Sequence, residues 1–282
     1  MEFNKVSNNL RKPYVIVLGN EKGGTGKSTV SMHLITHLLR LGFQVGSIDV
    51  DARQGTLSRY IENRNDYKKR KGVNLPMPDH QPIFKSELKS LDEAEKDETS
   101  RFDTCLKTFQ NKDFIVIDTP GSDSFLSRYA HSFADTLITP LNDSFIDLDM
   151  LGRVNPESGK VEKPSTYAEM VWDQKKRRAM RGKGTFDWIV IRNRLSSHRA
   201  KNKKEMQGAL ENLAKRIGFR LGWGLGERVI FRELFLDGLT LLDLKDAGIS
   251  MTLSHLTARQ ELRALLEMIR LPALSEKLSK AS

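Results

Sequence analysis

A glycine-rich run near the start of the chain carries the residue types that bind phosphate. It comprises Lys22, Gly23, Gly24, Thr25, Gly26, Lys27, Ser28 and Thr29. Glycines let backbone N–H groups close around phosphate oxygens, and a helix that follows adds the partial positive charge of its first turn. The Lys27 ammonium could reach β- and γ-phosphates, and the Ser28 hydroxyl could ligate Mg²⁺. The run therefore predicts a nucleotide site.

The run departs from the common phosphate-loop pattern at two positions. Glu21 stands where a glycine is usual, and Lys22 adds a second lysine directly before the glycines. A solvated glycine turn flanked by lysines is the alternative interpretation. The β-branched run 14–18 before the loop, and the helical spacing of apolar residues as far as Gly42, favour the nucleotide site, because strand, glycine turn and helix are the context of a phosphate loop.

Three carboxylates stand at the ends of predicted strands. Asp49 and Asp51 close the run that begins at residue 44, and Asp118 closes the apolar run 114–117. Ligands bind at the carboxyl ends of parallel strands, so these side chains could serve magnesium and an attacking water. For Asp49 and Asp51 an ordinary polar strand exit remains open. Gly121, shortly after Asp118, would let the backbone approach a γ-phosphate.

Alternating strands and helices must position these residues. The predicted strands are 14–18, 44–49, 114–117, 135–140 and 186–191, and the predicted helices are 27–42, 56–65, 87–98, about 100–110, 124–133, 165–180, 202–217 and 253–270. This order predicts an α/β fold with a doubly wound, mainly parallel sheet flanked by helices. We expect a single domain over 1–282, with a flexible N-terminus at 1–12 and an insertion or long loop at 66–100.

Composition excludes several classes of protein. The chain has 282 residues, of which 38% are hydrophobic, so a sizeable core is expected. Its one cysteine, Cys105, cannot form an internal disulfide, and a reducing cytoplasm is the expected setting. No apolar run approaches the roughly 20 residues of a membrane-spanning helix. The C-terminal apolar stripe at 262–269 is expected to pack in the core rather than on a membrane surface.

Positive charge is concentrated in the second half of the chain. Residues 152–204 hold 15 Lys/Arg against 5 Asp/Glu, a difference equal to the net charge of +10 for the whole chain. The residues assigned to phosphate-backbone contact without sequence preference are Arg194, Arg199, Lys201, Lys203 and Lys204. A merely soluble surface is the alternative. Single subunits would offer few contacts, and pairing two of them would raise avidity.

With these motifs in place, the chain resembles the deviant Walker ATPases of the ParA/MinD family, and within it those that position the division plane. Further stretches of likeness are 140–145, 192–195, 228–235 and 238–244. The resemblance implies that ATP and Mg²⁺ bind, that Lys22 reaches the partner's phosphates in a dimer, and that Lys22, Lys27 and Asp51 are catalytic. It also implies that Asp51 orients the attacking water.

The resemblance also supplies the remaining site and partner expectations. It places Ser28, Asp49 and Asp118 near magnesium, and Asn193 at the adenine. It implies slow, dimer-coupled hydrolysis, nonspecific DNA binding by the ATP-bound dimer, association with the partition protein ParB and inhibition of FtsZ assembly. The expected location is cytoplasmic and nucleoid-associated, with polar enrichment through ParB. The membrane-targeting tail of MinD-type members is absent, so no membrane partner is expected.

Two other functions share parts of this pattern. A ParA-type chromosome or plasmid partitioning ATPase has every nucleotide motif named above. A metabolic P-loop kinase or ATP-dependent ligase would need a substrate pocket, and the sequence shows no His or carboxylate constellation beyond the nucleotide site.

Overall fold

The computed structural model describes residues 12–51, 54–155, 161–195, 200–222 and 224–270, without the side chains of 200–204. The strands are β1 (Tyr14–Leu18), β2 (Val45–Asp49), β3 (Asp79–Pro82), β4 (Phe114–Asp118), β5 (Thr136–Asn142), β6 (Gly152–Val154), β7 (Val161–Pro164), β8 (Asp187–Asn193) and β9 (Arg220–Gly222). The helices are α1 (Lys27–Arg40), α2 (Thr56–Lys71), α3 (Leu91–Thr108), α4 (Phe125–His131), α5 (Phe145–Leu148), α6 (Thr166–Met180), α7 (Ala200–Ile217), α8 (Ile230–Leu236) and α9 (Leu253–Met268).

Seven strands form one sheet in the order β3-β2-β4-β1-β5-β8-β9. All six pairings in this sheet are parallel, and β6 and β7 form a separate antiparallel hairpin. Asp118 is in register with both Leu18 and Asp49. The loops that follow β1, β2 and β4 therefore leave the sheet side by side. The predicted α/β fold with a parallel sheet flanked by helices is confirmed.

Helices cover both faces of the sheet, which explains why its central strands are apolar throughout. Alternate residues of β1 enter opposite cores: Val15 and Val17 join one, and Ile16 and Leu18 the other. The first core includes residues of α3, α4, α6 and α7, and the second includes residues of α1, α2 and α9. The glycine-rich loop is thus held between a fully buried strand and a helix packed along its length.

A buried ion pair ties α2 to the segment after α8. Both Arg64 and Asp243 have 0% of their surface exposed, and the guanidinium donates to the carboxylate through Nη1 at 2.6 Å and Nη2 at 2.9 Å. The same guanidinium donates to the carbonyl oxygens of Pro76 and Gly238, each at 3.0 Å. Bidentate geometry with these further bonds is what allows a charge pair to be fully desolvated.

Regular elements occupy much of 66–100, where the sequence predicted an insertion or long loop. α2 continues to Lys71, because Tyr67 is buried against the segment that holds Leu234 and Leu244. Asp79–Pro82 is then a strand that pairs with β2, and one helix, α3, replaces the two helices predicted over 87–110. Ser86 donates its backbone N–H to Glu98 at 2.9 Å, which fixes the loop that enters α3.

Two further predictions concern the C-terminal apolar stripe and the N-terminal segment 1–12. The apolar stripe of α9 is buried, as predicted: Leu262, Leu265, Leu266 and Ile269 are each at most 3% exposed. Of the predicted flexible segment 1–12, residues 1–11 lie outside the described part of the chain, so that prediction is not tested. Among the described residues, none of the helices combines the length and apolarity that crossing a bilayer requires.

Candidate nucleotide site

The glycine-rich loop connects the end of β1 to the first turn of α1. Gly24 and Gly26 adopt φ angles of +72° and +88°, in the left-handed region that favours glycine. A Cβ atom at Gly26 would overlap the Asn193 side-chain amide. A Cβ atom at Gly121 would lie 2.6 Å from the Cα and N atoms of Gly23. The loop after β4 therefore touches the glycine-rich loop, which puts Gly121 beside the phosphate cavity.

Lys27 stands in the first turn of α1 and is only 6% exposed. Its ammonium donates to the Lys22 carbonyl oxygen at 3.1 Å. Burial lowers the pKa of Lys27, and the carboxylates of Asp118 and Asp51 act in the opposite direction. Among the described residues, the Lys22 carbonyl oxygen is the hydrogen-bond partner of the Lys27 ammonium, which is therefore well placed to bind phosphate oxygens.

Asp118 ends β4 directly beside the first turn of α1. Ser28 Oγ donates to its Oδ2 at 2.5 Å, and Ser31 Oγ donates to its Oδ1 at 3.2 Å. Burial raises the pKa of Asp118 to about 7, and the negative charge of Asp49 contributes to the same shift. Two buried carboxylates side by side thus create an unfavourable negative field that a bound cation would relieve.

Asp49 and Asp51 differ in their surroundings. Asp49 is fully buried, and it accepts hydrogen bonds from the backbone N–H groups of Ser58 and Asp51 and from the Ser58 hydroxyl, at 2.9 to 3.0 Å. Asp49 therefore fixes the loop between β2 and α2, in addition to its predicted place near magnesium. Asp51 is half-buried, and burial together with the charge of Asp49 raises its pKa. Its lower burial leaves it open to a water molecule.

A cavity of about 220 Å³ brings these residues together. It is lined by residues 23–29, Asp49, Asp51, Gln54, Thr56, Asp118, Thr119, Gly121 and Arg194. Loop N–H groups, one ammonium, one hydroxyl and carboxylates are the donor set that a magnesium nucleotide requires. Among the described residues, no group of three or more His, Cys, Asp or Glu side chains could hold a metal ion alone. The set fits Mg²⁺, which keeps waters and phosphate oxygens among its ligands.

Lys22 does not line this cavity, although it precedes the glycines. Its backbone N–H donates to the Asn20 side chain at 2.8 Å, and its ammonium forms an ion pair with Asp147, which lies in α5. The Lys22 side chain is 40% exposed, whereas that of Asp147 is 2% exposed. Asp147 also accepts a hydrogen bond from the backbone N–H of Asn142 at 3.1 Å. Sequence analysis gave no indication of Asp147.

Comparisons with known proteins agree with this geometry. The sequence profile of the family described as "ATPase MipZ" matches residues 14–273. The chain belongs to the MipZ family of ATPases. A search of the curated proteins finds no match.

Solved structures of ParA/MinD-type proteins share the fold. An ATP complex of McdA from Cyanothece has a TM-score of 0.54 at 17% identity over 86% of this chain and 99% of that one. The AMPPNP-bound putative plasmid partition protein of Borrelia burgdorferi has a TM-score of 0.53 at 17% identity, and the match covers 91% of this chain and 98% of that one. The Mg-ADP complex of MinD from Pyrococcus horikoshii has a TM-score of 0.53 at 17% identity, and the match covers 89% of this chain and 94% of that one.

This MipZ-family protein is therefore a nucleotide-binding ATPase. A neighbouring cavity, of about 420 Å³, shares Gly26, Thr29, Thr56 and Arg194 with the phosphate site and is also lined by Asn193. Asn193 ends β8 and donates through Nδ2 to the Thr25 carbonyl oxygen at 2.8 Å. The cavity is otherwise largely apolar, with Phe231 and Phe235 in its wall. The position and lining of this cavity suit a nucleobase, and the adenine contact of Asn193 stays a prediction.

The predicted DNA-contacting residues lie mostly outside the described part of the chain. Arg199 is not described, and only the backbone is described for Lys201, Lys203 and Lys204, in the first turns of α7. Arg194 is exposed, borders the phosphate cavity and adopts a φ of +54°, which is uncommon for a residue other than glycine. Its place at the end of β8 puts a cation at the edge of the nucleotide site.

Proposed function

We propose that this protein is an ATP-dependent dimerisation switch that regulates the placement of the cell-division site. ATP and Mg²⁺ bind at the glycine-rich loop, two ATP-bound subunits associate through the carboxyl edge of the sheet, and slow hydrolysis returns them to monomers. The ATP-bound dimer binds DNA without sequence preference, associates with ParB and inhibits FtsZ assembly. Membership of the MipZ family and the parallel-sheet ATPase fold support this proposal.

The position of the Lys22 ammonium carries the proposal. The Lys22 side chain does not line the phosphate cavity of its own subunit, and its ammonium is held by Asp147 at the carboxyl edge. Lys27 already supplies the ammonium inside that cavity. A second ammonium outside it is therefore available to the phosphates of a facing subunit, once the bond to Asp147 opens.

Apolar side chains beside Lys22 support association at this edge. Phe145 and Ile146, which immediately precede Asp147, are 49% and 75% exposed. On the other side of the site, the loop into α3 exposes Phe84 and Leu88 at 55% and 51%. Exposed apolar residues next to a functional site are what a reversible protein interface covers.

Five residues around the phosphate cavity have distinct roles in the hydrolytic cycle. Asp51 is close enough to the phosphate cavity to accept a proton from, or orient, an attacking water, and its raised pKa makes it a better base than an ordinary aspartate. Lys27 neutralises the charge that develops on the phosphate oxygens. Ser28 and Asp118 would hold Mg²⁺, with Asp49 supporting the adjoining loop. Bound Mg²⁺ supplies Lewis-acid activation of the phosphate.

The DNA surface follows from pairing two subunits. Each one contributes Arg194 and the basic run at 199–204, and the charge excess of residues 152–204 supports contact with phosphate rather than with bases. The proposed location is cytoplasmic and nucleoid-associated, with polar enrichment through ParB. No membrane partner is proposed.

Size-exclusion chromatography with ATP, ADP and no nucleotide tests the switch. We expect a dimer only with ATP, and a longer-lived one in Asp51→Ala. Lys27→Ala should lose ATP binding, whereas Lys22→Ala should bind ATP and stay monomeric. Identical elution under all three conditions would refute the proposal, and a dimeric Lys22→Ala would refute the role of that lysine.

A ParA-type partitioning ATPase is the second candidate, because the partition protein of B. burgdorferi has the same fold over 91% of this chain. Addition of the ATP-loaded protein to polymerising FtsZ separates the two. Shortened filaments support division-site regulation. Unchanged filaments together with ATP-dependent DNA retention would favour partitioning.

A further inference from the structure

The positive charge of the second half of the chain is divided between the two edges of the sheet. β8 runs from Asp187 to Asn193, so Arg194 leaves it at the carboxyl edge, beside the nucleotide site. The segment 181–186 enters β8 at the amino edge, and Lys12 enters β1 at that edge. A strand of seven residues at about 3.3 Å per residue separates the two edges by roughly 20 Å.

Two cations at the amino edge rest on one aromatic ring. The Arg181 guanidinium lies 4.6 Å from the centroid of the Phe133 ring, and the Lys183 ammonium lies 5.3 Å from it. Arg181 is also 5.6 Å from the Tyr129 ring. Both cations are exposed to solvent, whereas the two rings are half-buried beneath them. The rings therefore fix the positions of the charges and leave the charged heads free to bind a ligand.

Two carboxylates near Arg181 and Lys183 are committed to other cations. Asp135 pairs with Arg178, and Asp187 pairs with Arg220. In the described part of the chain, no carboxylate lies within ion-pair distance of Arg181 or Lys183. The positive charges at this edge are therefore not neutralised locally.

The titration of Lys183 agrees with that conclusion. Its pKa is lowered by burial against the protein surface and then by the neighbouring cations Arg178, Lys12 and Arg181, while Asp135 acts in the opposite direction. Three cations close enough to disfavour the charge on a fourth form a site where an anion would be stabilised. Arg177, one helical turn before Arg181, adds an exposed cation on the same side of α6.

We propose that Lys12, Arg177, Arg181 and Lys183, here called the amino-edge patch, bind the phosphate backbone of nucleic acid in a single subunit without nucleotide. The patch belongs to one chain and lies at the edge opposite the proposed dimer surface. It is thus independent of the ATP-dependent DNA surface that includes Arg194. A dimer would carry one such patch on each of its subunits.

The shape of the patch favours a polyanionic backbone over other anions. Its cations are spread over a helix end and two chain segments and do not enclose a cavity, as a small anion would require. An anionic bilayer would need an apolar face that enters the headgroup region. Met180, which is 84% exposed, is the one large apolar side chain that this helix end exposes among the described residues. Phosphate contact also needs no base-reading side chains, which matches a patch made of Lys and Arg alone.

Salt dependence gives the size of the expected effect. Each phosphate contact adds about 0.9 to the slope of log affinity against log salt on duplex DNA. Four contacts therefore predict a slope of about −3.6. Loss of Arg181 and Lys183 should bring that slope to about −1.8 and lower the affinity at about 50 mM salt by tenfold or more.

Fluorescence anisotropy of a short labelled duplex with the nucleotide-free full-length chain tests the proposal. We expect wild type to bind at about 50 mM salt and Arg181→Ala/Lys183→Ala to lose tenfold or more. Lys69→Ala/Lys71→Ala, which removes two exposed cations from α2, is the control of equal charge and should change binding less than twofold. Arg181→Lys/Lys183→Arg should retain binding. ATP turnover of each variant reports that its fold is intact.

Several results would overturn the proposal. An equal loss in the α2 control would assign the effect to net charge. If the nucleotide-free protein does not bind DNA at about 50 mM salt, the proposed binding site does not exist. Retention on phosphatidylglycerol vesicles that is lost in Arg181→Ala/Lys183→Ala, without a change in DNA affinity, would identify a membrane surface instead. Failure of ATP to dimerise the protein would refute the proposed switch and leave this test unaffected.

Discussion

Replacement of Asp147 by Asn should make ATP-dependent dimerisation tighter. Asp147 is buried in the short helix after β5 and holds the Lys22 ammonium within its own subunit. If Lys22 serves the partner's phosphates, this bond must open each time a dimer forms. An asparagine keeps an oxygen that accepts the Asn142 N–H and removes the charge that attracts the lysine.

The magnitude follows from the exposure of the two side chains. Lys22 is 40% exposed, so solvent screens the pair, and exposed ion pairs contribute about 0.2–1 kcal/mol. Because the carboxylate itself is 2% exposed, we take the upper value of about 1 kcal/mol. A symmetric dimer opens two such pairs, so the change is about 2 kcal/mol, which corresponds to a dimer Kd about 30-fold lower.

Sedimentation velocity across a concentration series with ATP measures that Kd. Both proteins should carry Asp51→Ala, so that hydrolysis does not deplete the dimer. Asp149→Asn is the matched control, because Asp149 is exposed and lies two residues further along the chain. A Kd that stays unchanged or rises in Asp147→Asn, while the control behaves as wild type, would refute the view that Asp147 restrains Lys22.

Three further predictions concern other parts of the fold. Gly121→Ala should weaken ATP binding in calorimetry, because its Cβ would lie 2.6 Å from the Gly23 backbone and would push the glycine-rich loop aside. Asp243→Asn should lower the free energy of unfolding in urea by about 3–5 kcal/mol, because it leaves the charge of Arg64 buried without a partner. Burial lowers the pKa of His33 to about 4 from 6.5. As the pH falls from about 6.5 to about 4, the unfolded chain binds a proton that the fold excludes, so stability to urea should fall over that range.

Each of these has a control. Gly208→Ala in α7 meets no atom within 4 Å and should bind ATP as wild type does. Asp246→Asn removes a partly exposed partner of Arg40 and should cost less than about 1 kcal/mol. His33→Gln should flatten the acid limb of the stability profile without abolishing it, because burial also lowers the pKa of His131 to about 4. An unaltered profile would contradict the contribution assigned to His33.

The nucleotide site was predictable because its signals are local. The strand before the glycines, the glycines and the helix after them occupy 14–40 without interruption, and Asp49 and Asp118 each end a strand. The parallel sheet then brings Asp49 and Asp118 into register. Side-chain type and strand order are therefore sufficient to predict that these two carboxylates lie close together.

The β3 strand was not predictable in the same way. Its sequence, Asp79–Pro82, contains no β-branched or aromatic residue, and its proline favours a loop. It forms because it lies at the edge of the sheet, where only one neighbour must be satisfied. Pro82 is its last residue, where the missing N–H breaks no ladder bond that the strand needs. The long-range pairing with β2 therefore outweighs local propensity.

The restraint on Lys22 also depends on contacts distant in sequence. Lys22 and Asp147 are separated by 125 positions, and nothing in the segment around Asp147 marks it as a partner of the loop. The contact exists because β5 lies next to β1, so that α5 begins beside the glycine-rich loop. Asp147 thus holds a side chain of the glycine-rich loop although it lies outside every motif that the sequence shows.

The positions of the basic residues also depend on the fold and not on sequence distance alone. The basic region 152–204 is continuous in sequence, yet β8 divides it, with Arg181 and Lys183 before the strand and Arg194 after it. Because a strand carries the chain from one edge of a sheet to the other, a net charge counted along the sequence combines two surfaces that face opposite directions. In the proposed switch, the carboxyl edge is the one that changes when ATP pairs two subunits. DNA binding at that edge should therefore depend on nucleotide, and DNA binding at the amino edge should not.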